Sequence, residues 1–177
     1  MGKNGSLDRA MEETLSPAGK IVGETLVPGE RMPAERALVL AALSEGDSTI
    51  SNVPVGAGRV VDWLRKLGVS IGRKKSTYRV KGVGLQGFEA VDDLLDIEGL
   101  GDTALLLLTL LSGQSFRSRV NLGVEAERCR PLVDLLSKLG LSVEWETANS
   151  LVVGGGEPKG CVFTEVDILA ELKLSVL

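Results

Sequence analysis

The chain of 177 residues contains no histidine. That removes the imidazole base of Ser-His-Asp and Cys-His nucleophile arrangements and most zinc chemistry. Its two cysteines, Cys129 and Cys161, match no metal-ligand spacing and form no disulfide framework. Aromatic residues make up only 3% of the sequence, so the core must be built mostly of Leu, Val, Ile and Ala. Cations are outnumbered, 20 Lys and Arg against 24 Asp and Glu, for a net charge of −4. This balance argues against nucleic acid as the main partner, but a local basic cluster for a small anion remains compatible with it. The longest apolar run, 104–111, is too short to span a bilayer, so no membrane partner is expected. Residues 1–16 are polar with scattered charge and lack a signal-peptide pattern, which makes the cytoplasm the expected location.

Hydrophobic content of 44% and charged content of 25% suit a globular protein with room for a sizeable core. Residues 1–16 read as a mobile tail. Alternation then predicts a strand at 20–27, and amphipathic spacing a helix at 33–44. A strand at 48–53 and a helix at 58–67, stopped by Gly68, follow. Strands at 69–72 and 77–81 flank the polar turn RKKS. The second half repeats this order, with a strand at 90–97, a helix at 103–111 and a strand at 116–121. A helix at 125–139 and strands at 141–146 and 150–153 complete it.

Two stretches match directly across the halves. RALVLAALSEG from Arg36 parallels TALLLLTLLSG from Thr103, and VDWLRKLGVSI from Val61 parallels VDLLSKLGLSV from Val133. A period near 70 residues with the order β-α-β-α-β-β is an internal repeat of a supersecondary unit. An incomplete third copy is expected at 160–177, giving one α/β (α+β) lobe over 17–177 of about two and a half units, at 20–84, 88–156 and 160–177. Its apolar end, LKLSVL, is expected either to continue into a longer protein or to dock onto something.

The stretch 25–46, TLVPGERMPAERALVLAALSEG, has the layout of an anion site. A strand leads through a glycine turn into a helix whose first turns hold Arg31 and Arg36. Unpaired N–H groups and the dipole at a helix N-terminus favour negative charge, and guanidinium forks grip phosphate or carboxylate. An ordinary βα turn with solvated arginines has the same sequence layout.

The motifs VPGERMPAERALVLAALSEG, TISNV, LLSGQSF, RCRPLVDLLSKLG and GGGEPKG together resemble the enolpyruvyl transferases, specifically the 5-enolpyruvylshikimate-3-phosphate synthase family. The first motif of that family looks like VPGDKSxSHRALLLAALAEG. The related transferase acting on UDP-N-acetylglucosamine has an opening motif that fits less well. The resemblance covers most of this chain but only the first two-fifths or so of a family member. It implies an inside-out α/β barrel fold with two lobes, each of three βαβαββ units. It further implies that shikimate-3-phosphate and phosphoenolpyruvate bind between the lobes and that the transfer needs no metal or organic cofactor.

Carried onto this chain, the resemblance implies substrate-binding roles for Arg31, Arg36, Gly101, Thr103, Arg130, Glu171 and Lys173, and no catalytic residue. The match thins where the chemistry lies. The motif lysine falls at Arg31, whose fork is not a compact ammonium able to share a proton. The motif serine falls at Met32, and the second motif, IEGLGDTALL, has a leucine (Leu105 or Leu106) where the family has arginine. Asp102 and Glu171 put carboxylates where the family receives anions. The family's acid/base carboxylates and further arginines come from its C-terminal half.

The expectation is therefore a family domain of the shikimate pathway that does not turn over as this isolated chain. One alternative is a non-enzymatic, self-associating binding or interaction protein on the same lobe; another is an active half that needs a separate, missing C-terminal lobe. Surface pairing with Glu35 and Glu127 is the plain alternative for Arg36 and Arg130. Trp63 and Trp145 are expected as core anchors, RKK at 73–75 as a solvated hairpin turn, and GGGEPKG as a linker between units.

Overall fold

The computed structural model describes Val27 and residues 29–159. The expected tail at 1–16, the strand at 20–27 apart from Val27, and the third unit at 160–177 lie outside the described residues, as do Glu171 and Lys173. Helix α1, Arg31–Leu43, starts two residues earlier than the spacing predicts, because extended Glu30 already serves as its N-cap. Pro33 sits in the first turn, where a missing N–H breaks no helical hydrogen bond. The helix stops at Ser44, whose hydroxyl donates to the Ala41 carbonyl at 2.8 Å, and the chain passes directly into β1, Glu45–Ile50.

The expected strand at 48–53 is thus displaced toward the N-terminus. Asn52 adopts a left-handed φ of 59°, which ends the extended run before Pro54. A single 3-10 turn at Val55–Ala57 leads into α2, Gly58–Lys66. Gly68, at φ 87°, turns the chain into β2, Ser70–Lys74, and β3, Thr77–Val83. β3 lies between β1 and β2, antiparallel to both.

The second unit repeats this arrangement. β4, Leu95–Asp96, precedes α3, Asp102–Ser112, and β5, Ser118–Asn121. A 3-10 turn at Gly123–Glu125 then leads into α4, Ala126–Lys138, and the hairpin of β6, Val143–Trp145, and β7, Ser150–Val153. The sheet order is β4-β5-β7-β6, with β4 parallel to β5 across the α3 crossover. The predicted strand at 90–97 shrinks to these two residues of β4. Asp92, Asp93 and Leu94 are exposed, Val91 is only partly buried against the core, and only Leu95 and Ile97 are fully inside it, so there is no continuous buried face to hold a longer strand.

α3, DTALLLLTLLS, is apolar around most of its circumference and must be covered on several sides. It packs on α1 and α4, and α1 packs on α2, so one continuous core joins both units. Leu38, Leu64, Leu107, Leu108, Leu132 and Leu136 are fully buried within it. Trp63 is a core residue as expected, although its indole N–H has no hydrogen-bond partner among the described residues. Trp145 only packs against the edge of the core.

Gly82 is where the end of α1 meets β3. A β-carbon there would lie 2.1 Å from the Ser44 carbonyl oxygen and 2.7 Å from that of Ala41. Both atoms are backbone, so relief requires moving the helix end. Gly82→Ala should lower the midpoint of denaturant unfolding by an amount equivalent to about 1–3 kcal/mol. An unchanged midpoint would show that the contact between α1 and β3 is loose.

Candidate functional site

The N-terminal turns of α1 and α3 face one another, and a buried carboxylate joins them. Glu35, one turn into α1, is 1% exposed. Its Oε1 accepts from Arg31 Nε at 2.7 Å, and its Oε2 accepts from the Thr103 hydroxyl on α3 at 2.5 Å. Arg31 also donates through Nη2 to the Gly99 carbonyl at 3.1 Å. The Arg31 stem passes beside Gly56, just ahead of α2. Arg31 and Thr103, singled out separately from the sequence, are therefore brought together, with the chain's own carboxylate between them.

The N-terminus of α3 is filled in the same way. Gly101, at φ 58°, turns the chain so that its N–H donates to Glu125 Oε1 at 3.2 Å. Asp102 stands in the first helical turn, where the dipole favours an anion, and pairs with Arg128 of α4. Nearby, Arg59 reaches Asp96 at 3.4 Å, and Asp96 also accepts from Asn121 and from the Glu98 N–H, both at 3.1 Å. These groups would attract a phosphate or carboxylate, but each already has an internal partner.

Arg36 differs. It is half-buried on α1, one residue beyond Glu35, and has no ion-pair partner among the described residues. The pairing with Glu35 weighed from the sequence goes to Arg31 instead. Arg130 stays away from this cluster. Two residues along a helix turn the side chain by about 200°, so Arg130 faces away from the Arg128 contact. It pairs with Glu127 at 2.9 Å, as its plain alternative expected, and its guanidinium lies 4.7 Å from the Trp145 ring centroid. Cys129 between them is no nucleophile, since burial pushes its thiol up to about 12.

The sequence reading missed Glu125 and Arg128, and weighed Glu35 as a surface partner for Arg36. Glu35 had one visible signal, its spacing of four residues from Arg31, which suits a helical ion pair. Glu125 and Arg128 had none, because their partners come from the neighbouring helix. Among the described residues, no group of three His, Cys, Asp or Glu side chains is placed to hold a metal ion. No helix among them is long and apolar enough to cross a membrane.

Comparison with known proteins bears on this site. Residues 15–165 match the family model for EPSP synthase (3-phosphoshikimate 1-carboxyvinyltransferase). The 3-phosphoshikimate 1-carboxyvinyltransferase of Persephonella marina is 35% identical over 176 residues, 94% of this chain and 40% of that protein. Its counterpart in a Sulfurihydrogenibium species is 33% identical with the same coverage. The chain thus spans about 40% of the length of these curated relatives. The crystal structure of EPSP synthase from Acinetobacter baumannii superposes with a TM-score of 0.76 at 24% identity, over 88% of this chain and 37% of the other. That likeness shows the shared fold.

The Glu35 link has a measurable consequence. Thr103→Val removes the donor and leaves a buried carboxylate oxygen without a hydrogen bond, which should cost about 2–3 kcal/mol of unfolding free energy. Glu35→Gln keeps an acceptor for Thr103 and should cost less. Denaturant unfolding that ranks the two variants the other way would contradict the wiring.

Proposed function

The chain belongs to the EPSP synthase (3-phosphoshikimate 1-carboxyvinyltransferase) family, and we propose that it carries one wall of that family's anion site without transferring an enolpyruvyl group by itself. The observation that carries this reading is the internal neutralisation of the facing helix ends. Arg31 is held by Glu35, Arg128 by Asp102, and the Gly101 N–H by Glu125. A shikimate-3-phosphate phosphate or a phosphoenolpyruvate carboxylate entering here has to displace tethered carboxylates, which compete at a high effective concentration. Among the described residues of α1, Arg36 is the arginine without an ion-pair partner and would be the one to meet it.

Transfer of the enolpyruvyl group from phosphoenolpyruvate to shikimate-3-phosphate also needs proton donors and acceptors at the enol carbon. The chain has no histidine, burial pushes the Cys129 thiol up to about 12, and Glu35 is already hydrogen-bonded on both oxygens. Removing one phosphate-gripping donor typically costs a factor of about 10²–10³ in rate, so several withdrawn together leave little transition-state stabilisation. The substitution of the motif serine by Met32, which is exposed on α1, points the same way. A separate segment carrying the acid/base carboxylates and further arginines would be required for turnover. The expected homo-oligomer rested on an apolar end and a first strand that lie outside the described residues.

Phosphate release from phosphoenolpyruvate in the presence of shikimate-3-phosphate tests the reading. The purified chain should give the rate of a protein-free control, and turnover above that background would overturn it. Calorimetric titration with shikimate-3-phosphate alone should show at most weak binding, abolished by Arg36→Ala. Binding that survives this substitution would place the anion elsewhere.

A further inference from the structure

The sheet β1-β3-β2 turns Ile71, Tyr78 and Val80 toward the helices and leaves its other face to solvent. On that open face, Thr49, Arg79 and Gly72 lie in one cross-strand row, and Asp47, Lys81 and Ser70 in the next. Lys74, paired with Thr77, extends the face toward the hairpin tip, where Lys75 turns at φ 56°. Lys74, Lys75, Arg79 and Lys81 are all exposed, and none forms a salt bridge among the described residues. Asp47 is the one acidic side chain in these rows.

The repeat supplies an internal control. The second unit has the same strand arrangement, yet the cations on its open face are neutralised by acids from the hairpin. Arg117 pairs with Glu144 at 3.0 Å, and Arg119 with Glu146 at 2.9 Å. An acidic protein with a net charge of −4 thus keeps a net basic face, four cations against Asp47 and Glu45, on one of two like sheets. Lysine on an edge strand often only blocks edge-to-edge pairing. That explains Lys74 on β2, but not Arg79 and Lys81, which stand on the central strand β3.

The face is also shaped. Two depressions, of about 680 Å3 and about 240 Å3, adjoin at Thr49, Gly72 and Arg79. Their floor is made of short residues, and a β-carbon added at Gly72 would meet nothing within 4 Å. Arg79 and Lys81 are two residues apart on one strand, so their side chains emerge about 6.8 Å apart. Acidic side chains at alternate positions of an extended peptide have the same spacing. Among the described residues, this face offers no exposed ring for base stacking, since Tyr78 is 2% exposed, with the Arg73 guanidinium 5.4 Å from its ring centroid.

We propose that the open face of β1-β3-β2 is a docking surface for an extended acidic segment of a partner protein, held by Lys74, Arg79 and Lys81. The test is fluorescence anisotropy with a fluorescein-labelled (Glu-Thr)5 peptide, titrated with the full chain at about 50 mM salt. Saturable binding that weakens as salt is raised is expected. The double variant Arg79→Gln/Lys81→Gln should bind about tenfold or more weakly with its melting temperature unchanged. Lys74→Gln should show a smaller loss, and Arg117→Gln/Arg119→Gln on the neutralised face should bind as the parent does. Absence of binding by the parent chain would overturn the proposal, as would an equal loss in the Arg117/Arg119 variant. Tighter binding of a labelled ten-nucleotide oligo-dT than of the peptide would also overturn it, in favour of a nucleic-acid surface.

Discussion

A buried carboxylate, that of Glu35, links the helices of the two repeats. Burying a charge costs several kcal/mol unless it is paired and hydrogen-bonded. Here the Arg31 guanidinium satisfies one oxygen and the Thr103 hydroxyl the other. Net stabilisation from such an arrangement is modest, because much of the attraction only repays desolvation. Its specificity is larger. Sliding α1 along α3 would strand a buried acid, whereas the surrounding leucines would tolerate many offsets. The apolar core supplies cohesion, and the polar link selects one packing.

The same link decides the chemistry. An anion site needs donors without partners, and a folded chain tends to supply partners to any donor it leaves half-buried. At the ends of α1 and α3, three acids occupy that role: Glu35, Asp102 and Glu125. The family fold is retained in its glycine turns, its apolar helices and its repeated sheet order. Arg31 and Arg128 pair with the chain's own carboxylates. Arg36 escapes because its neighbour in sequence, Glu35, is already committed to Arg31.

Much of the architecture was legible because it is encoded locally. The period near 70 residues, the helical spacing from Arg36 and from Val61, and the stop at Gly68 all lie within short windows, and each corresponds to an observed element. The family motifs around Arg31 and Arg130 also pointed to the right fold. What could not be read depends on distant partners. Glu35 and Thr103 are 68 positions apart, as are Arg31 Nη2 and the Gly99 carbonyl. Nothing in either stretch announces the other. β4 was overextended for a related reason. Alternation in 90–97 resembles a strand, but whether a segment pairs depends on which residues find a core, and only its last part does. The resemblance grouped Arg130 with Arg31 and Gly101 as substrate-binding residues, whereas its guanidinium lies over the Trp145 ring.

The central claim is that the chain's own carboxylate occupies the position an anionic ligand would take. Calorimetric titration of phosphoenolpyruvate into the parent chain and into Glu35→Gln tests it most directly. The substitution keeps an acceptor for Thr103 but releases the charge of Arg31. The account predicts binding at least about tenfold tighter in the variant. Equal affinity in the two proteins, or tighter binding by the parent, would contradict it.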